Sequence, residues 1–380
     1  MKKTHVALLA LFTLSALSGF SLSGKAMNMS SKYLMYAGTY GKGIYGFYFH
    51  TDTGELEPLS MMGELVNSSW VTTDPQHKFL FAVSELEGHE KGDVASFAID
   101  RGSGKLTRLS MQSSDGLAPC HLALDHTNRM LVTANYTSGT VASFPVSEDG
   151  NIGSMVSLMT AEGSGPNKDR QTGPHAHETV FSANNKFLYV PDLGLDHIRI
   201  YKFDPTTAKL TPSEPAFVQV EAGIGPRHMV FSPNDKFAYV VNELKPDVTV
   251  FSHDSATGML THLQTASTVE EGTKVIGPAE VLIDKAGKYV YASVRGPGTI
   301  AVFSVDHATG KLTRVQIAET GGTSPRGVDF DPSGHYLISG DQKSNKIFVF
   351  SIDPHSGKLT LTGKTYEAPS PVSFVFVPVK

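Results

Sequence analysis

Along most of the chain, short apolar runs rich in Val, Ile, Phe and Tyr alternate with polar clusters of Asn, Asp, Gly, Pro and Ser. Runs of this length and β-branched content, bounded by turn residues, predict strands rather than helices. The pattern also repeats. Pro226–Leu260 and Pro325–Leu359 align without a gap, and Pro278–Leu312 fits the same ruler. Phe251, Phe303 and Phe350 stand at matching places in these copies, as do Gly258, Gly310 and Gly357. Looser copies begin at Pro174, at Pro119 and near Trp70, so a unit of about fifty residues recurs seven times. Each copy holds four apolar runs separated by turn signals such as Ser-Pro-Asn-Asp and Ala-Thr-Gly, hence four strands.

Four-stranded units at this period predict an all-β fold, a seven-bladed β-propeller with four antiparallel strands per blade. A solenoid of stacked repeats is the competing arrangement, and the chain ends discriminate between the two. Lys32–Ser60 carries only the last three strands of a copy, whereas Pro371–Val377 (PVSFVFV) carries only the first. The C-terminal strand is therefore expected to complete the N-terminal blade, closing the ring and removing exposed sheet edges.

The first 26 residues read differently. Lys2 and Lys3 precede an apolar stretch from Val6 to Leu17, and a small-residue segment ends at Gly24-Lys25-Ala26. These are the three regions of a secretory signal peptide. A membrane anchor is the alternative, but the apolar core is short for a bilayer. Residues 1–26 are thus expected to be a signal peptide and 27–380 one propeller domain, periplasmic or secreted, without membrane insertion after signal removal. The location would be cytoplasmic if that reading fails. A formal net charge of −5 with both signs interspersed argues against nucleic acid or an anionic membrane as partner. Cys120 is the only cysteine, which excludes an internal disulfide and a thiolate metal cluster; it is expected to be a small buried apolar residue.

In a propeller the first strand of each blade lines the central channel and the second runs back beside it. The start of strand one and the end of strand two therefore meet at one channel mouth. Just after the blade prolines stand Cys120, His175, Arg227, Ala279 and Arg326, and one step further His121, Ala176, His228, Glu280 and Gly327. Near the end of strand two stand Tyr136, Glu243, Arg295 and Gln342, with Asp192 in the copy that carries an insertion. His175, His177, Arg227, Glu243, Glu280, Arg295, Arg326 and Gln342 are expected to converge on one concavity, suited to polarising an oxygen-rich anion or ester. Arginine offers planar paired donors for oxyanions, and histidine and glutamate offer proton transfer. The plainer alternative is that the arginines and glutamates pair with each other and brace adjacent blades. His175-x-His177 has the spacing of a two-ligand metal fragment on one strand face, but lacks an evident third ligand, so neither a metal site nor a cofactor is expected. The sequence contains no nucleophile elbow, P-loop or dinucleotide fingerprint. The polar loop Gly163–Gly173 is expected either to cover the mouth or to be a solvated excursion.

At these residues the chain resembles the seven-bladed propeller lactonases, the family of the propeller-type 6-phosphogluconolactonases and the related fungal carboxymuconate-lactonising enzyme. Gly225-Pro-Arg-His-Met-Val-Phe with Tyr239-Val-Val-Asn-Glu-Leu244 carries the likeness most distinctively. Gly173-Pro-His-Ala-His177, Asn135-Tyr-Thr-Ser-Gly139, Ser324-Pro-Arg-Gly327, Gly340-Asp-Gln-Lys-Ser344 and Gly38-Thr-Tyr-Gly support it. The resemblance implies hydrolysis of a small-molecule sugar lactone, 6-phosphogluconolactone or a related aldonolactone, by general acid/base catalysis at the channel mouth. It implies catalytic roles for His177, Arg227, Glu243 and Arg295. His175, His228, Glu280, Arg326 and Gln342 are the remaining substrate-binding candidates. Glu243 is the expected base for water, with His177 or His175 polarising the carbonyl or protonating the ring oxygen. Arg295 sits in Ser293-Val-Arg-Gly296, where relatives usually show Asn-Arg-Gly, which puts a supporting hydrogen bond in doubt. A binding propeller without turnover and a muconate-type cycloisomerase are the competing functions.

Overall fold

The computed structural model describes residues 31–379 except 87 and 89. The signal peptide expected at 1–26 lies outside the described residues. The described chain holds no helix and folds into seven four-stranded antiparallel sheets. In one sheet, Pro226–Phe231, Phe237–Asn242, Asp247–Asp254 and Met259–Ser267 lie side by side in chain order. The exception to chain order is the closing sheet, where Pro371–Pro378 pairs with Lys32–Thr39, followed by Gly43–His50 and Glu55–Glu64. The register runs from Tyr33 opposite Pro378 to Thr39 opposite Pro371, so the chain's last strand supplies the first strand of its first blade. First strands of successive blades pack on one another: Pro226–Phe231 meets Gly277–Ile283, which meets Pro325–Phe330, which meets Pro371–Pro378. They form the inner ring.

The repeated residues explain the blades. Between strands one and two, Asp125, Ser182, Ser232, Asp284 and Asp331 turn their side chains back on the chain. Asp284 Oδ1, for example, accepts the Lys288 and Tyr289 N–H groups at 2.6 and 2.8 Å. These are the turns announced by the polar clusters. On the third strand Phe251, Phe303 and Phe350 are fully buried between neighbouring sheets. Each sheet face is thus apolar, and the core is a set of wedges between blades rather than one central mass.

A second repeated device ties blade to blade. Tyr189, Tyr239 and Tyr291, on the second strands of three successive blades, donate their hydroxyls to the carbonyls of Gly258, Gly310 and Gly357 in the following blade, at 2.9, 3.1 and 2.8 Å. Tyr36 reaches Gly104 in the same way at 2.9 Å. Gly310 must be glycine here: its φ is +72°, and a Cβ would stand 2.3 Å from the Phe237 ring. Buried tyrosines are satisfied at one end and apolar elsewhere, which suits a blade interface.

One blade departs from the pattern. Its first strand is reduced to Val180–Phe181, preceded by an isolated bridge between Ala176 and Asp192. The segment carrying His175 and His177 is therefore held to its neighbour by single bonds rather than by a continuous ladder: His177 N–H donates to Pro191 O at 3.0 Å, and Leu193 N–H to His175 O at 3.0 Å.

Candidate active site

Because strands one and two are antiparallel, the residue that follows strand two lands beside the start of strand one. Glu243 shows the linkage: Pro226 is opposite Asn242, and Glu243 N–H donates to Gly225 O at 2.8 Å. The same rim position is filled in other blades by Tyr40, Glu85, Tyr136 and Gln342, each directly after its second strand, and by Arg295 at the end of its own. All six line one cavity of about 660 Å³, joined by Asn67, Cys120, Arg170, His177, Ile276 and Arg326. This size suits a small polar metabolite.

Glu243 is the electrostatic centre. Its Oε1 accepts Arg170 Nη2 at 2.5 Å, its Oε2 accepts Arg227 Nε at 2.9 Å, and Arg295 Nη2 forms an ion pair with Oε2 at 3.0 Å while donating to Pro278 O. His177 Nε2 stands 3.9 Å from the same Oε2. Burial opposes ionisation of Glu243, yet the guanidiniums of Arg295, Arg227 and Arg170 outweigh it and hold the carboxyl well below the usual range. His177 moves the other way in charge. Burial, reinforced by the Arg227 cation, keeps its imidazole neutral far below its ordinary value. Burial also brings Arg295 down to about 10, which leaves it fully charged at neutral pH.

Across the cavity Arg326 is held by Tyr40. Its Nη2 donates to the phenol oxygen at 2.7 Å, and the phenol in turn donates to Glu85 Oε2 at 2.6 Å. Ser69 Oγ donates to the same Glu85 oxygen at 2.5 Å. Burial raises the Glu85 carboxyl above its usual value despite Arg326. The cavity therefore offers a ring of donors: Arg295, Arg326 and Arg170, the Tyr136 hydroxyl and a neutral imidazole.

The structure brings His177, Glu243, Arg295, Arg326 and Gln342 to the cavity wall, and places the other expected residues elsewhere. Arg227 sits behind Glu243, its side chain 2% exposed, with Nη1 on Ala279 O at 2.5 Å. His175 is not on the wall: its ring stacks on Tyr136 at 4.6 Å and its Nδ1 meets Tyr136 O at 2.9 Å. The Tyr136 ring meets His177 edge-on at 5.3 Å, so the two histidines approach the same phenol instead of sharing a ligand. His228 and Glu280 lie deeper, paired at 2.9 Å in a buried channel cluster with Glu178. The braces feared as the plainer alternative exist as well, since Arg227 and Arg295 do pair with Glu243.

Four polar wall residues were not singled out as site candidates from the sequence. Tyr40 and Glu85 obey the same rim rule, but their copies are the two most degenerate, and the ruler anchored on proline does not reach them. Asn67 belongs to a linker between blades, without any pattern. Arg170 comes from the loop Gly163–Gly173, and its Nη2 also reaches Tyr136 Oη at 3.1 Å, so the loop contributes one side chain to the cavity wall. Cys120 is buried as expected, and burial pushes its thiol up, yet its Sγ lies 3.8 Å from His177 Nδ1 on the cavity wall.

A closed seven-bladed ring with an arginine-lined mouth is the architecture of a lactonase class, and residues 34–376 match the family model described as Lactonase, 7-bladed beta-propeller. The chain belongs to that family. It is 34% identical over 301 residues to the 6-phosphogluconolactonase of Bacillus subtilis, covering 78% of this chain and 84% of that one. It is 33% identical over 289 residues to the 6-phosphogluconolactonase of Formosa agariphila, covering 75% and 81%. Among solved structures, the periplasmic gluconolactonase of Pseudomonas aeruginosa superimposes with a TM-score of 0.88 at 32% identity, over 92% of this chain and all of that one (100%).

Proposed function

We propose that this protein hydrolyses a sugar lactone to its open-chain acid, with the reaction centred between His177 and Arg295. The observation that carries the reading is the juxtaposition of a neutral imidazole with fixed guanidiniums on the wall of one cavity. Relatives called 6-phosphogluconolactonase and gluconolactonase support the substrate class.

Ester hydrolysis needs an activated water, donors for the tetrahedral oxyanion, and a proton for the leaving alkoxide. Glu243 suits the first task poorly. Both its oxygens already accept from guanidiniums, Oε1 from Arg170 and Oε2 from Arg227, which occupies the lone pairs a water would approach. We assign water activation to His177 instead. Its neutral ring takes the water proton as the C–O(H) bond forms at the carbonyl carbon; the resulting imidazolium returns it to the ring oxygen as the lactone C–O bond breaks. Arg295 and Arg326 face the cavity and stabilise the oxyanion or an anionic substituent. Glu243 and Arg227 are positioning residues that hold Arg295. No covalent intermediate is required, because the leaving group stays tethered.

The substrate is read as an extracytoplasmic aldonolactone. The signal-like residues 1–26 and the periplasmic relative support this location, and among the described residues no helix is long and apolar enough to cross a membrane. The rim arginines accept a phosphate, a carboxylate or a developing oxyanion equally well. Hydrolysis of gluconolactone and of its 6-phosphate by the purified protein, side by side, is the test. Cleavage of either supports lactonase chemistry, and preference for the unphosphorylated sugar supports export. Folded protein that cleaves neither overturns the reading in favour of a binding propeller.

A further inference from the structure

We propose that the channel core beneath the cavity binds one divalent first-row transition-metal ion, held by Glu178, His228 and Glu280. These residues come from three consecutive blades: Glu178 precedes Val180–Phe181, His228 lies in Pro226–Phe231 and Glu280 in Gly277–Ile283. One donor atom from each lies within 4.8 Å of the other two. His228 Nδ1 is 2.9 Å from Glu280 Oε1 and 4.0 Å from Glu178 Oε1. Donors bound at about 2.1 Å to a tetrahedral ion stand roughly 3.3 Å apart, so small adjustments bring all three onto one centre.

The carboxylates are prepared for such a role. Glu178 Oε2 is pinned by Met229 N–H at 2.6 Å, which leaves Oε1 turned towards His228. Glu280 Oε1 is pinned by Val281 N–H at 3.0 Å, and its Oε2 faces His228 Nδ1 at 3.0 Å. Each acid thus has one oxygen fixed by the backbone and one presented to the cluster. His121 Nε2 stands 3.7 Å from Glu178 Oε1. The three side chains are only 3–8% exposed, and within 4 Å neither carboxylate meets a lysine or arginine; their ion-pair partners are imidazoles. An ion between the two buried acids would supply a positive charge closer to them than that of Arg227.

The state of the His228 ring follows from its partners. His228 Nε2 is buried and has no hydrogen-bond partner. Without the ion, Nδ1 faces both Glu280 oxygens at 2.9 and 3.0 Å and carries the ring hydrogen; ligation through Nδ1 moves that hydrogen to Nε2. Two oxygens with one imidazole suit Zn²⁺ or Mn²⁺ better than Ca²⁺, which takes an all-oxygen shell. Bound there, the ion joins three blades at the channel axis and stabilises the ring.

The test uses the full-length protein, stripped with EDTA, dialysed, and titrated separately with ZnCl₂ and MnCl₂. The expected result is one ion per chain, a raised melting temperature, and an anomalous-diffraction peak between Glu178, His228 and Glu280 in crystals grown with the metal. Glu178→Gln and Glu280→Gln should each weaken binding at least about tenfold. A peak absent from that position at millimolar metal, or affinity unchanged in both variants, overturns the proposal. If the variants do not fold, the wild-type diffraction measurement decides alone. None of these readouts depends on the enzyme's substrate.

Discussion

Glu243→Gln separates a positioning carboxylate from a catalytic base. The substitution keeps the shape and removes the charge that three guanidiniums share. Arg170 is 39% exposed at its side chain, so its pair contributes at most about 1 kcal/mol. Arg227 and Arg295 are 2% and 9% exposed, and losing their common partner leaves two buried cations uncompensated. Removing one member of a buried ion pair costs about 3–5 kcal/mol. With an unfolding entropy of about 2.1 cal/mol/K per residue over roughly 350 residues, that corresponds to a fall in Tm of about 4–7 °C. Activity should fall too, by about 10²–10³-fold in kcat, because the Arg295 donor loses its alignment. The decisive readout is the pH profile of the residual activity. If His177 is the base, the variant keeps an acid limb, moved to lower pH because a negative charge beside the imidazole is gone. Thermal denaturation and a gluconolactone hydrolysis assay from pH 4 to 8 provide both measurements. A Tm within about 1 °C of wild type, together with abolished activity and no remaining acid limb, would refute the reasoning and return Glu243 to the role of base.

Other expectations follow from the same geometry. His177→Gln should lower kcat by about 10²–10⁴-fold with little change in fold, measured by steady-state kinetics and circular dichroism. Because burial and Arg227 hold His177 neutral, wild-type kcat/KM should stay level as pH falls through 6.5 and decline only below it; a midpoint at or above 6.5 would contradict the neutral imidazole. Arg170→Ala should raise KM for a phosphorylated lactone by about tenfold, with a smaller effect on kcat, since this half-exposed guanidinium is the loop's contribution to the cavity. Tyr291→Phe should cost about 1 kcal/mol of stability by removing the hydroxyl that reaches Gly357, without altering kinetics; equal melting temperatures would deny the blade latch its energetic role.

The blade period was legible because each blade buries similar faces against similar neighbours, so Phe251, Phe303 and Phe350 recur in register. Four rim residues were legible for the same reason, since antiparallel pairing carries Tyr136, Glu243, Arg295 and Gln342 to equivalent places. The rim rule failed where the ruler was worn: Tyr40 belongs to a blade assembled from both chain ends, and Glu85 to a copy lacking the leading proline. The expected single concavity also divided into two levels. Arg227 and His228 are adjacent in sequence, yet Arg227 turns to Glu243 under the cavity and His228 to the deeper acids, because neighbouring side chains on a strand point apart.

Sequence by itself determined the number of blades, the manner of closure and the positions from which chemistry issues, since these depend on local strand and turn preferences repeated at constant spacing. Tertiary structure alone decided which charges meet. The loop that brings Arg170 onto Glu243 has no repeat to betray it, and the ionisation of Glu243 and neutrality of His177 arise from burial and from guanidiniums distant along the chain, Arg170 standing 73 residues from Glu243, brought together only when the ring closes. Electrostatic energies depend on distance and dielectric in space, and neither is written in the order of residues along the chain.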